Sequence, residues 1–396
     1  MKNIICKYSA ILLCIICCLS ACSSDSPDKG ESDLDVGKLS ASGVSDAQGR
    51  GSVSFRIAEG VTHFQLITHT TGATLGLAAL VGPSGEVLIA GDTTRVSGAT
   101  QFTSGPNVLN FPVPGVTAPI QAGEYTAFYV TENPGGDDVG SARLRAEVVT
   151  KSDADPSNGT LKVDVVFHGA IKDSVETIDG INSAIGIFRQ IYERAGLLLD
   201  VERYEIQGST PIPNPRSGDV FYERLSAQTR PNSLLIVFAN QVSNLQAPDG
   251  QSAVSGSLPG AFVPSNHSAI AVDLQAAAGF DGRFDFSSDE FGGFSDREDR
   301  NEIRLLAESL VFSTGQYLGL FETVTLEGDI VSSTDLLDTE KCINRTACQN
   351  NKGANGNIMF PEPLERRFGD IEDEFFPRDR ISAGQRAVLH SSPGVD

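Results

Sequence analysis

Apolar and polar residues alternate over short stretches in the first part of the chain. Val53-Ser54-Phe55-Arg56-Ile57 and His63-Phe64-Gln65-Leu66-Ile67 both show this. A period of two is the mark of a strand with one face buried. Leu75 to Val81 is apolar almost throughout and is closed by Gly82-Pro83-Ser84-Gly85. Val87-Leu88-Ile89, Val108-Leu109-Asn110-Phe111, Tyr125 to Val130 and Ala142 to Val148 follow. Many short strands separated by Gly and Pro turns predict a β-sandwich over residues 49–150. No motif in this region is specific; His63 and His69 could face one way as a site, but read first as residues at core edges.

The pattern changes after Lys151-Ser152-Asp153-Ala154-Asp155-Pro156-Ser157-Asn158, which reads as a domain boundary. Leu161 to Phe167 is a predicted strand. Ile178, Ile181, Ile185, Phe188, Ile191 and Tyr192 recur at helical spacing, and Gly196 stands where a helix would stop. Leu197 to Ile206, Ser233 to Ala239 and Ser268 to Leu274 are further strands. The second of these is apolar throughout, which predicts a central position in a sheet covered on both faces. Strands alternating with helices predict an α/β domain over residues 159–396 with a mixed, twisted sheet.

Asp281 to Asp299 is rich in acidic residues and glycine and reads as a solvated loop, with a calcium cradle as the lesser reading. Asn301 is a predicted helix cap with Glu302 in the first turn. Ile303, Leu306, Leu310 and Phe312 then mark a long helix running to about Leu318.

The chain begins differently. Met1-Lys2-Asn3 and Lys7 precede the apolar run Ile11 to Leu19, which is too short to span a bilayer. Leu19-Ser20-Ala21-Cys22 resembles a bacterial lipobox. That resemblance implies a signal peptide over residues 1–21 and lipid on Cys22, with Ser23 favouring outer-membrane sorting. The expected location is the bacterial cell envelope, facing the periplasm or the cell surface. Residues 22–48 are rich in Ser, Asp and Gly and read as a flexible tether.

Charge narrows the partners. The chain carries a formal −21, and loss of Lys2 and Lys7 with a leader would make it more negative. A polyanion repels nucleic acid and anionic headgroups, so no nucleic-acid partner is expected. Of seven cysteines, only Cys342 and Cys348 lie beyond the lipobox. In an exported protein, two cysteines that close predict a small-loop disulfide.

The long helix and its sequel carry the remaining signal. Ser313-Thr314-Gly315-Gln316-Tyr317-Leu318-Gly319-Leu320-Phe321-Glu322-Thr323 ends it. Its arrangement resembles the metzincin zinc peptidases, in particular pappalysin-like members. Their helix carries His-Glu-x-x-His, then a glycine turn, then a third ligand. Aligned on Gly319, Phe312 stands at the first His, Ser313 at the general-base Glu, Gln316 at the second His and Glu322 at the third ligand. Asp335 to Cys342 resembles the segment after the third ligand. Asn357-Ile358-Met359-Phe360-Pro361 resembles the Met-turn, and Ser382 to Leu389 resembles the terminal helix. The region before Thr150 is weakly similar to jelly-roll domains that accompany secreted bacterial peptidases.

The resemblance implies the fold without the metal chemistry. Catalytic zinc takes three protein ligands. A phenyl cannot coordinate, a carboxamide oxygen is a poor zinc ligand, and a serine hydroxyl is no general base near neutral pH. His168, His267 and His390 read as packing or surface residues. The expected cofactor set is empty of zinc; Asp335 and Asp338, with Glu327 and Asp329, are candidates for a structural calcium ion. The leading expectation is a non-catalytic pseudopeptidase that binds a peptide or protein partner. The alternative is an active metal-dependent peptidase with a rearranged site.

Overall fold

The computed structural model describes residues 38–395 apart from 71–72, 91–105, 113–117, 133–140, 153–157, 170, 172–174, 216–218, 244–253, 257–258, 266–267, 275–296, 321, 328–329, 334–341, 343 and 362–377. Eight strands come first: β1 (Lys38–Val44), β2 (Arg50–Ile57), β3 (His63–Thr70), β4 (Thr74–Val81), β5 (Val87–Ala90), β6 (Asn107–Phe111), β7 (Gly123–Glu132) and β8 (Arg143–Lys151). They form two antiparallel four-stranded sheets, ordered β1-β8-β3-β6 and β2-β7-β4-β5. Phe55, Phe64, Phe111 and Tyr125 from both sheets meet in one core. Their rings pack at centroid distances of 5.3–6.2 Å, mostly edge to face. The expected sandwich arrangement is present. Between β4 and β5, Gly85 has φ +82°, and Gly82 N–H donates to Glu86 O.

Two boundaries move. The tether was expected to reach residue 48, but β1 occupies Lys38–Val44 and pairs with β8. Leu39 and Ala41 pack on the sandwich core while Ser40, Ser42 and Val44 are exposed. Two small or medium apolar residues among Ser and Gly carry too little hydrophobicity to reveal a strand; the paired edge of β8 supplies the rest. Lys151 is likewise not linker. It ends β8, and its buried ammonium donates to His390 O (2.9 Å) and to Val395 O.

The second part has β9 (Gly159–His168), α1 (Val175–Glu193), β10 (Leu197–Ile206), α2 (Phe221–Ser226), β11 (Leu234–Ala239), β12 (Val254–Gly256) and β13 (Ala269–Asp273). It continues with α3 (Arg297–Tyr317), β14 (Val324–Glu327), β15 (Ile330–Ser333), α4 (Arg345–Asn350), α5 (Lys352–Asn355) and α6 (Ala383–Ser391). The sheet order is β10-β9-β11-β13-β12. The first four strands are parallel, and β12 runs antiparallel to β13 at the edge. β11 is central and buried at every position, as its apolar run predicts. Ile181, Ile185 and Phe188 of α1 share a core with Leu306 and Leu310 of α3, Met359 and Leu389. Tyr222 and Leu225 of α2 cover the other face. α1 stops at Gly196 (φ +78°), whose N–H donates to Glu193 O at 3.0 Å.

α3 starts at Arg297, four residues before the expected cap at Asn301, and takes the end of the supposed acidic loop with it. Its first turn, Arg297-Glu298-Asp299-Arg300, has no apolar residue, so hydrophobic periodicity begins only at Ile303. The hairpin β14–β15 was also unforeseen. Its strands pair antiparallel from Val324 with Ser333 to Glu327 with Ile330; in the sequence, the Gly-Asp dipeptide after Glu327 is of a kind that signals a hairpin. α6 is capped by Ser382 in a capping box with Gln385.

Candidate functional site

The site is built on the C-terminal half of α3. Phe312 and Gln316 are one turn apart and share a helical face. Phe312 is half-buried against the core of the second part, and Ser313 and Gln316 are buried. On the neighbouring face stands Gly315, whose Cβ, if it had one, would lie 2.6 Å from Met359 Sδ. Close approach of Met359 to the helix therefore requires glycine there. Met359 thus packs against this helix at position 315, between the two aligned ligand positions.

α3 ends in a Schellman motif. Gly319 has φ +105°, Gly319 N–H donates to Gln316 O (3.0 Å), and Leu320 N–H donates to Gly315 O (2.8 Å). This cap turns the chain back over the helix end. Thr323 N–H then bonds Met359 O at 3.0 Å, which pins the residue after Glu322 to the methionine turn. Glu322 is half-exposed. The methionine turn is held by Asn357, whose Oδ1 accepts from Met359 N–H (2.9 Å) and from Gln385 Nε2 (2.8 Å).

A buried ionic network under Phe312 was not foreseen. Glu308 lies one turn before Phe312. Its Oε1 accepts from Arg304 Nε (2.9 Å) and Arg378 N–H (3.1 Å), and its Oε2 accepts from Arg378 Nε (3.1 Å). Arg378 Nη1 also donates to Phe360 O (2.9 Å), and its guanidinium carbon stands 5.8 Å from the centroid of the Phe312 ring. The network ties α3 to the chain just after Met359. The one hint in the sequence was an acidic residue inside an otherwise apolar helical stripe; nothing pointed to Arg378 as its partner.

These groups can pack, hydrogen-bond and bind; they do not fit a catalytic zinc. The positions aligned with metal ligands hold a phenyl, a carboxamide and one carboxylate, and zinc wants three donors of His, Cys, Asp or Glu type. Among the described residues, no group of three or more His, Cys, Asp or Glu is placed to hold a metal ion. Cys22, Asp335 and Asp338 lie outside the described residues, as do Phe321, Asp329 and His267. Glu327 ends β14. Cys342 and Cys348 form the expected disulfide, which packs with Phe360.

The other histidines sit apart from this site. His390 Nε2 is 2.9 Å from Ala195 O, inside the junction of α6 with the end of α1. His168 ends β9 and is buried, with its ring edge-on to Phe221 at 5.5 Å. A Cβ on Gly208 would lie 2.1 Å from its Nε2. Burial lowers the pKa of His168 below the ordinary 6.5. His69 is also lowered, chiefly by burial, against the opposing pull of Glu147 and Glu223. In both cases the unfolded chain takes up protons first as pH falls. Stability is then full above about pH 6.5 and falls as pH drops from there towards the native pKa values. Thermal midpoints of the wild type should fall on acidification from pH 7.5 to 5, and those of His168→Gln should fall less. Parallel curves would show that His168 is not the group responsible.

No protein-family model matches the chain, and no curated protein does. Among solved structures it is similar to metalloproteinase-II from Bacteroides fragilis, with a TM-score of 0.26 and 11% identity. That likeness covers 45% of this chain and 53% of the metalloproteinase, so the chain spans about half the length of that relative. A family two carbohydrate esterase from Clostridium thermocellum aligns at a TM-score of 0.14 and 7% identity, covering 52% of this chain and 66% of that one. Its counterpart from Cellvibrio japonicus aligns at 0.15 and 10%, covering 51% and 64%. These are distant likenesses, and nothing below rests on them.

Proposed function

We propose that the second part of the chain is a metzincin-like scaffold without zinc chemistry, which binds an extended peptide or protein segment beside α3 and does not cleave it. The observation that carries this reading is Arg378 over Phe312. The side chain at the first aligned ligand position is a phenyl, and a guanidinium held by Glu308 stands 5.8 Å from its ring centroid. A fixed cation at that point works against capture of a second one. The binding reading draws on β12, which ends the sheet and packs against α3. A terminal strand is where an extended peptide can add by main-chain hydrogen bonds. With Cys22 as a lipid attachment, the protein would present this surface in the bacterial cell envelope.

The test is direct. Protein purified in metal-free buffers should carry zinc well below one equivalent, and should show no turnover of broad peptide libraries with or without added zinc or calcium. Stoichiometric zinc, or cleavage abolished by a chelator, would overturn the proposal. The alignment has its own check. The triple variant Phe312→His, Gln316→His, Glu322→His should gain zinc affinity, read by calorimetry. If it folds as the wild type does and binds no zinc, the three positions do not converge.

A further inference from the structure

We propose that the sandwich completes the C-terminal cap of α3, and that Asn110 and Gln65 are thereby positioning residues for the turn that leads to Glu322. A helix leaves its last four carbonyls without partners inside the helix. The Schellman bonds from Leu320 and Gly319 satisfy Gly315 O and Gln316 O, and Leu318 N–H reaches Thr314 O at 2.9 Å. Tyr317 O and Leu318 O remain. Gly260 N–H takes the first at 2.9 Å, and Asn110 Nδ2 of the sandwich takes the second at 3.2 Å.

Those two donors are joined by one side chain. Gln65 Nε2 donates to Asn110 Oδ1 (2.8 Å) and to Gly260 O (2.9 Å), while its Oε1 accepts from Phe262 N–H (3.0 Å). The ring closes from the helix end, through the 260 loop and two amides, back to the helix end. Gln65 and Asn110 are directly opposite each other on β3 and β6, so the sheet fixes their spacing. Gly319 fits for a second reason here: a Cβ would stand 2.8 Å from Asn110 Nδ2. Around the polar ring, Ile67, Val108 and Val149 of the sandwich pack on Ala261 and Val263. The sandwich therefore borders the end of α3, beside which the proposed peptide would bind. The consequence for ligand binding rests on the reading above, but the cap itself does not.

Hydrogen exchange tests the cap without any ligand. In Asn110→Ala, the amides of Gly319 and Leu320 should exchange up to about tenfold faster, the size expected for loss of one hydrogen bond. Gln65→Ala should do the same at the same amides, because it releases Asn110. Ile67→Ala loosens the same interface without touching the ring and should leave these two amides protected once corrected for global stability. Asn110→Asp, nearly isosteric, covers the case in which the alanine variant does not fold; it sets an acceptor against Leu318 O and should raise exchange at least as much. Equal exchange at Gly319 and Leu320 in the Asn110, Gln65 and Ile67 variants would overturn the proposal, whatever the protein binds.

Discussion

Replacing Glu308 with alanine is expected to cost about 3–5 kcal/mol of folding stability, the usual result of leaving a buried charge without its partner. Glu308 and Arg378 are both almost fully buried. The carboxylate accepts from Arg304 Nε and, twice, from Arg378. Without it, the Arg378 guanidinium keeps, among the described residues, Phe360 O and the face of Phe312. A carbonyl and a ring do not replace an ion pair in the interior. Water is excluded there, so added salt should rescue little. Removing both charges together is different. Glu308→Leu with Arg378→Met takes away the stranded ion along with its partner, and should recover much of the loss. Denaturant midpoints at unchanged slope would measure each step. A Glu308→Ala loss below about 1 kcal/mol, the scale of an exposed pair, would mean that the network does not hold α3 to the methionine turn.

Met359→Ala should cost about 2–5 kcal/mol, through lost burial and the cavity left behind. Met359→Leu should cost less than about 1.5 kcal/mol, because volume is nearly conserved. Met359 is fully buried, its sulfur lies against Gly315, and its carbonyl anchors Thr323. The backbone bonds survive either substitution. The difference between the two variants therefore isolates packing under the helix. If leucine proved as costly as alanine, the thioether itself would matter at this position, and a role as plain packing would be wrong.

Strands β2 to β11 and β13 were legible because burial of one or both faces leaves a periodic or continuous apolar pattern. β11 and α1 are the clearest cases: one is apolar at every position, the other stops at a glycine whose positive φ only that residue takes cheaply. β1 was not legible, since its two inward residues are weakly apolar and its stability comes from pairing with β8, far along the chain. Gln65 reads as the solvent face of a strand. It is fully buried, because that face of the sandwich meets the second part of the chain.

Local chain chemistry determined the two alternation patterns, the position of the long helix end, the helix stops at Gly196 and Gly319, the disulfide between Cys342 and Cys348, and the residue types at 312, 313, 316 and 322. Tertiary structure decided which polar groups are buried and what they meet. Glu308 finds Arg378 at a separation of 70 residues, and Asn110 finds Leu318 at 208. Polar side chains show no period of their own. A buried carboxylate or amide is tolerated only where a partner arrives from elsewhere in the fold, and no local pattern records that arrival.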